Sequence, residues 1–156
     1  MRVRKHIQVA KIILSDTNWQ TDDIPPRHTC IYPKTRPNRA GWEWRSALVK
    51  SDISEYIFLS HVHPDRDNWQ AMLVLKSDLG GSLISRYEYH GSHPGIHVHA
   101  DCSRGGIEVG PTGINDLLRI PQVGKERQNN ITLRKNLFWD KARLHFRIDY
   151  PKGELL

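Results

Sequence analysis

The chain has 156 residues, 38% hydrophobic and 26% charged, with a mean hydropathy of −0.59; that is enough for one ordinary core without disulfide staples. Twenty-three Lys and Arg against 17 Asp and Glu give a formal net charge of +6, a balance that favours polyanions, nucleic acid being the commonest. No apolar run approaches a membrane span, and no apolar leader follows the basic start Arg2, Arg4, Lys5. Cys30 and Cys102 are too few for a disulfide framework, so reduced thiols and a cytoplasmic location, with no membrane partner, are expected.

In chain order, residues 3–14 alternate at first (Val3, Lys5, Ile7, Val9) and are rich in β-branched side chains, which predicts a strand. From Ser15 to Gly41 the pattern dissolves. Pro25-Pro26, Pro33 and Arg36-Pro37-Asn38-Arg39 break regular structure, so 15–41 reads as a long basic loop of the kind that carries function. Trp42-Glu43-Trp44 and Ala47-Leu48-Val49 predict a strand, in which Trp42 and Trp44 share a face and form either core or a stacking platform. Glu55–His61, Trp69–Lys76 and Ser82–His90 predict three more strands. The last two are joined as a hairpin across Ser77-Asp78-Leu79-Gly80-Gly81, and Ile96–Ala100 is a short further strand. Near the end, Leu133, Leu137, Leu144 and Ile148 fall on one helical face with Thr132 as cap, while Leu144–Ile148 also alternates as a strand would. The sum is a single α+β domain over 1–156, an antiparallel sheet with one or two helices.

Two segments nearly repeat: His61-Val62-His63-Pro64-Asp65 and His97-Val98-His99-Ala100-Asp101. Six of the nine histidines lie between positions 61 and 99. On a strand, each H-x-H pair presents two imidazoles on one face, and imidazole is suited both to proton transfer near neutrality and to metal binding. If the repeats share a site, all four rings converge on one cavity. The second pair is favoured because Arg86, Tyr87 and Arg104 are its neighbours. The bland alternative is a hydrogen-bonded cluster in which His90 and His93 cap a turn.

Metal chemistry is one reading, with His61, His63, Asp65, His97 and His99 as ligands. Ser60–Arg66 is similar to the H-x-H-x-D-H string of metallo-β-lactamase-type hydrolases, but Arg66 stands where the last histidine belongs and would repel a cation. Gly91 followed by His97-x-His99 is similar to the opening of the cupin metal motif, with Arg104 in place of its acid. A zinc set of His28, Cys30, His97, His99 and Cys102 rests on residue type alone. No cofactor is expected.

Arg86-Tyr87, a glycine-containing turn and then His97-Val98-His99 resemble the TumE-type toxins of bacterial toxin–antitoxin pairs, whose strand carries Arg-Tyr followed, after a loop, by H-x-H. The likeness spans about positions 73–100, with the spacing one residue off. It implies a small stand-alone protein that attacks nucleic acid, RNA foremost, with a cognate antitoxin as protein partner.

Independently of that likeness, cleaving RNA without a metal needs a base for the 2′-hydroxyl proton, an acid for the leaving oxygen and a cation for the phosphorane. His97 and His99 are candidates for the first two roles and Arg86 or Arg104 for the third. Tyr87 or Tyr89 would stack on a base or donate to phosphate, with His90 and His93 completing the set. Lys34, Arg36 and Arg39 are the candidate nucleic-acid-binding residues, expected on the histidine face. The sequence thus points to a metal-independent ribonuclease of toxin type. Its rivals are a non-enzymatic nucleic-acid- or protein-binding inhibitor from a phage or plasmid and a metal-dependent enzyme.

Overall fold

In a computed structural model, which describes residues 3–29, 34–78, 80–90, 93–100, 119–120 and 133–153, the alternating blocks in the middle of the chain form one meander. Its strands are β1 (Lys11–Asp16), β2 (Glu43–Lys50), β3 (Glu55–His63), β4 (Asn68–Leu75), β5 (Ser82–His90), β6 (His93–Ala100), β7 (Arg119–Ile120) and β8 (Ile148–Asp149). They lie side by side in the order β7-β6-β5-β4-β3-β2-β1-β8. Every neighbouring pair is antiparallel except β1 with β8. The helices are α1 (Val3–Gln8), α2 (Pro26–Thr29) and α3 (Lys135–His145). The α+β architecture is as read. Three helices stand among the described residues rather than one or two, and only α3 exceeds two turns.

Period-two alternation splits the sheet into two packed faces. On one, Tyr56, Phe58, Val62, Trp69, Ala71, Leu73, Tyr87, Tyr89 and Val98 pack under α1 and α3, which contribute Val3, Phe138, Trp139 and Ala142. On the other, Trp44, Ile57, Leu59, Met72, Val74 and Leu83 pack with Ile24 from the segment before β2. The predicted 15–41 loop is therefore an ordered cover over its described part. It holds α2, and it is pinned by the bridges Gln20↔Trp44 and Ile24↔Arg36.

Three expectations are corrected. Residues 3–14 are not one strand: Val3 and His6 are the buried residues of α1, a spacing of three that alternation at Val3, Lys5 and Ile7 conceals. Leu133, Leu137, Leu144 and Ile148 are not one buried helical face: Leu133 and Ile148 are buried but lie outside α3, before and after it. Leu137 and Leu144 are 43% and 58% exposed, because the aromatic bulk of Phe138 and Trp139, with Ala142, takes the sheet-facing side. The ambiguous end resolves as helix to His145, then β8 at Ile148. Trp42 and Trp44 do not form a platform. Trp42 precedes β2, whereas Trp44 lies in the second core with its indole N–H donating to the Asp22 carbonyl at 2.8 Å. Thr132 lies outside the described residues.

Two buried basic groups seal the α1 end. Lys11 Nζ donates to the carbonyls of Ile7, Val9 and Phe146 at 3.1, 2.9 and 2.7 Å, joining the end of α1 to the chain after α3. Burial pushes this ammonium down to about 7. His6 Nδ1 lies 2.6 Å from the Tyr56 hydroxyl, and burial lowers the ring to about 4.

Candidate functional site

Alternation along β5 sends Arg86, Glu88 and His90 to the second face and Tyr87 and Tyr89 to the first. Across the sheet, pairing register then builds transverse rows. Leu59, Met72, Arg86 and His99 form one row; His61, Gln70, Glu88 and His97 form the next; His63, Asn68, His90 and His93 form the third. The two near-repeats thus occupy matching rows. β3 and β6 are three strand spacings apart, roughly 14 Å, so the pairs do not converge on one cavity as the shared-site expectation required.

What the register gathers instead is a carboxylate. Glu88, its side chain 4% exposed, has its Oε2 2.7 Å from Arg86 Nε, a charge contact whose N–H is not aligned as a hydrogen bond. Its Oε1 lies 2.8 Å from His99 Nε2 and 3.2 Å from His90 Nε2. His99 is placed to donate its Nε2 hydrogen to that oxygen, which in a neutral ring leaves Nδ1 as the acceptor, whereas His90 stands in charge contact with it. The His99, His90 and Arg86 side chains keep 15%, 23% and 14% of their surface exposed, so they stand in front of Glu88. His97 is paired in register with Glu88 and His93 with His90, but their side chains lie outside the described set, as does Arg104.

Tyr87 is corrected: the sheet turns it away from Arg86, because neighbours on a strand face opposite sides. It is buried against Phe138 and His145, with ring centroids 5.9 and 5.1 Å away. Tyr89 is buried on the same side. Neither can share a substrate with Arg86.

At the β3 end the histidines serve two other purposes. Asn38 Nδ2 donates to the carbonyls of Thr21 and Trp42 at 2.8 and 2.9 Å, which orients its amide. Its Oδ1 must then accept from His61 Nε2, 3.0 Å away. Burial and the nearby Arg36 lower His61 to about 4, so the ring is neutral near pH 7. His63 Nδ1 accepts the backbone N–H of Arg66 at 3.2 Å, capping the 3-10 turn Pro64–Arg66. Trp42 separates the two rings, tilted over His61 at 4.6 Å and edge-on to His63 at 5.3 Å. Asp65 sits exposed in the turn. Among the described residues no group of three His, Cys, Asp or Glu side chains stands in metal-holding geometry. Cys30 and Cys102 lie outside them.

His63 also depends on a bare backbone. Gly41 has φ +86°, and a Cβ there would lie 2.3 Å from His63 Nε2. Gly41→Ala is expected to destabilise the fold by about 2–4 kcal/mol, from the left-handed conformation and the displaced ring together. Denaturant midpoints of Gly41→Ala, His63→Ala and the double variant check it: the double should lose less than the two singles added.

Arg36, Pro37, Arg39, Trp42, His61, Asn68 and Gln70 line a cleft of about 550 Å³, over the β3–β4 stretch beside Glu88. Two of the three expected basic residues, Arg36 and Arg39, therefore meet the histidine face. Lys34 is exposed and outside the lining. The residues missed in the sequence are Glu88, Gln70, Asn68 and Asn38. For Glu88 a signal existed, since Arg86-x-Glu88-x-His90 carries the same period of two as the histidine pairs.

Compared with protein-family models, curated proteins and solved structures, the chain gives no match. Among the described residues no helix is long and apolar enough to cross a membrane.

Proposed function

We propose that the protein is a nucleic-acid-directed enzyme, a metal-independent ribonuclease whose reacting groups are gathered by Glu88. The observation that carries this reading is one buried carboxylate held by a guanidinium and two partly exposed imidazoles, beside a cleft carrying Arg36 and Arg39. That set meets the needs of 2′-hydroxyl attack on phosphorus.

In this scheme His99, its Nε2–H held by Glu88, uses Nδ1 to take the 2′-hydroxyl proton. The 2′-oxygen bonds to phosphorus, and the 5′-oxygen leaves with a proton from the imidazolium of His90. Glu88 sits too deep to meet substrate, so it is a positioning residue: it fixes the tautomer of His99 by their hydrogen bond and holds His90 beside it by charge. Arg86 offsets the Glu88 charge and offers the cation nearest the phosphorane. This keeps the two-histidine principle read from the sequence, with His90 and His99 as the described pair. Of the toxin-like Arg-Tyr string it keeps only Arg86.

Single-stranded RNA incubated with the purified protein in chelator is expected to yield 2′,3′-cyclic phosphate and 5′-hydroxyl ends, while DNA of the same sequence stays intact. Absence of cleavage with or without divalent metal would overturn the reading in favour of a binding protein. Cleavage only with metal would favour the H-x-H metal chemistry instead.

A further inference from the structure

The cleft beside Glu88 has a lining of unusual chemical consistency. Two guanidinium groups, two carboxamides, an imidazole, an indole and Pro37 line it, and among the described residues no carboxylate does. A second cleft of about 440 Å³ shares Arg39 and Trp42 with it and is lined as well by Glu43 and Asp65. Of the two, the cleft that adds Arg36 and none of those acids is the better match for a polyanion. The indole itself is held in place by His61 and His63, so it presents a rigid aromatic edge at little entropic cost.

The floor is equally specific. Gln70 is paired in register with Glu88, and Asn68 with His90, which puts both carboxamides one strand spacing from the histidine–carboxylate group. Gln70 Nε2 donates to Asn68 Oδ1 at 3.4 Å. By its inventory of hydrogens and lone pairs, Gln70 keeps an acceptor oxygen and a second N–H, the donor–acceptor pair that matches adenine N6 and N7. About 550 Å³ is within the usual range for a small-molecule site.

We infer that this cleft seats one nucleotide of single-stranded RNA next to the scissile bond, its phosphate on Arg36 and Arg39 and the edge of its base, adenine preferred, on Gln70 and Asn68. The inference rests on the ribonuclease reading for the kind of ligand, but it concerns binding and is tested by binding.

Labelled 2′-O-methyl hexanucleotides of A, U or C cannot be cleaved through the 2′-hydroxyl, and fluorescence anisotropy reports their affinity for the full chain. Wild type is expected to bind the adenine oligomer about tenfold more tightly than the others. Arg36→Gln with Arg39→Gln should weaken all three oligomers at least tenfold. It should also flatten the log–log salt slope by roughly 0.7 to 1.4, one or two phosphate contacts on a single strand. Gln70→Ala should remove the preference for adenine and leave the salt slope alone. Should the double variant fail to fold, Arg39→Gln, at an exposed position, carries the same test alone.

Equal affinity of wild type and both variants for all three oligomers overturns the inference, as does no binding by wild type. RNA cleavage by wild type with cleft variants unaffected removes the cleft and leaves the ribonuclease. No cleavage, with binding lost in the arginine variants and adenine preference lost in Gln70→Ala, removes the ribonuclease and leaves the cleft.

Discussion

Glu88→Gln is expected to lower ribonuclease turnover by roughly 10³–10⁴-fold, the scale seen when an orienting carboxylate or a proton-transfer group is removed. The amide preserves size and one acceptor, but it no longer fixes the rings by charge. A merely structural Glu88 would lower the melting temperature and leave the pH dependence of the remaining activity unchanged. A positioning Glu88 moves that dependence, because its carboxylate holds the Nε2–H of His99 while Nδ1 exchanges the proton. The variant also leaves the guanidinium of Arg86, whose side chain is 14% exposed, without its carboxylate. A stability loss of about 3–5 kcal/mol follows from such an uncompensated charge. Turnover is therefore compared at a temperature where circular dichroism shows both proteins folded. If Glu88→Gln does not fold, His99→Ala and His90→Ala carry the test. Each should remove most activity, and the double variant should be no worse than either, since the two rings serve one reaction. Full activity in either single variant would sink the assignment.

Acid should weaken the fold well before carboxylates protonate in bulk. His6 and His61 are each lowered from 6.5 to about 4, with burial the largest cause. As pH falls through 6.5 the unfolded rings take up protons and the folded ones do not, so the unfolded state is favoured increasingly down to about pH 4 and no further below it. At full extent this is on the order of 3 kcal/mol per ring. Denaturant midpoints at pH 7.5, 5.5 and 4.5 should fall steadily, with the slope roughly halved in His6→Gln or His61→Gln. A midpoint that holds constant from 7.5 to 4.5 would contradict the buried neutral rings. Lys11 acts on the alkaline side: its ammonium, lowered to about 7, adds stability as pH rises from 7 towards 10.5, because there the unfolded chain holds the extra proton.

The strands of the middle of the chain were legible because apolar residues fill both faces between turn signals, a pattern that only a sheet packed on two sides satisfies. The first dozen residues were not. A six-residue helix has too few positions to separate a period of two from one of 3.6, and the buried His6 looks polar in a pattern search. The leucines of α3 misled for a related reason. Which apolar stripe is buried depends on the fit to the facing sheet, and there Trp139 lies over Phe58 at 4.6 Å.

From the sequence alone followed the α+β class, the basic surface, and the alternation that puts each H-x-H pair, and equally Arg86, Glu88 and His90, on one face of its strand. Those are local properties, set by the pleat and by composition. Tertiary structure alone decided which residues meet across strands. Register depends on turn lengths and on the shifts at Leu73/Val74 and Glu88/His90, and a slip of one residue would have turned every side chain to the other face. It put Glu88 between Arg86, His90 and His99, left His61 on Asn38, and sent Tyr87 to the opposite core. No spacing in the chain encodes that outcome, because hydrogen-bonded pairing between distant segments is chosen by the packing of the whole sheet.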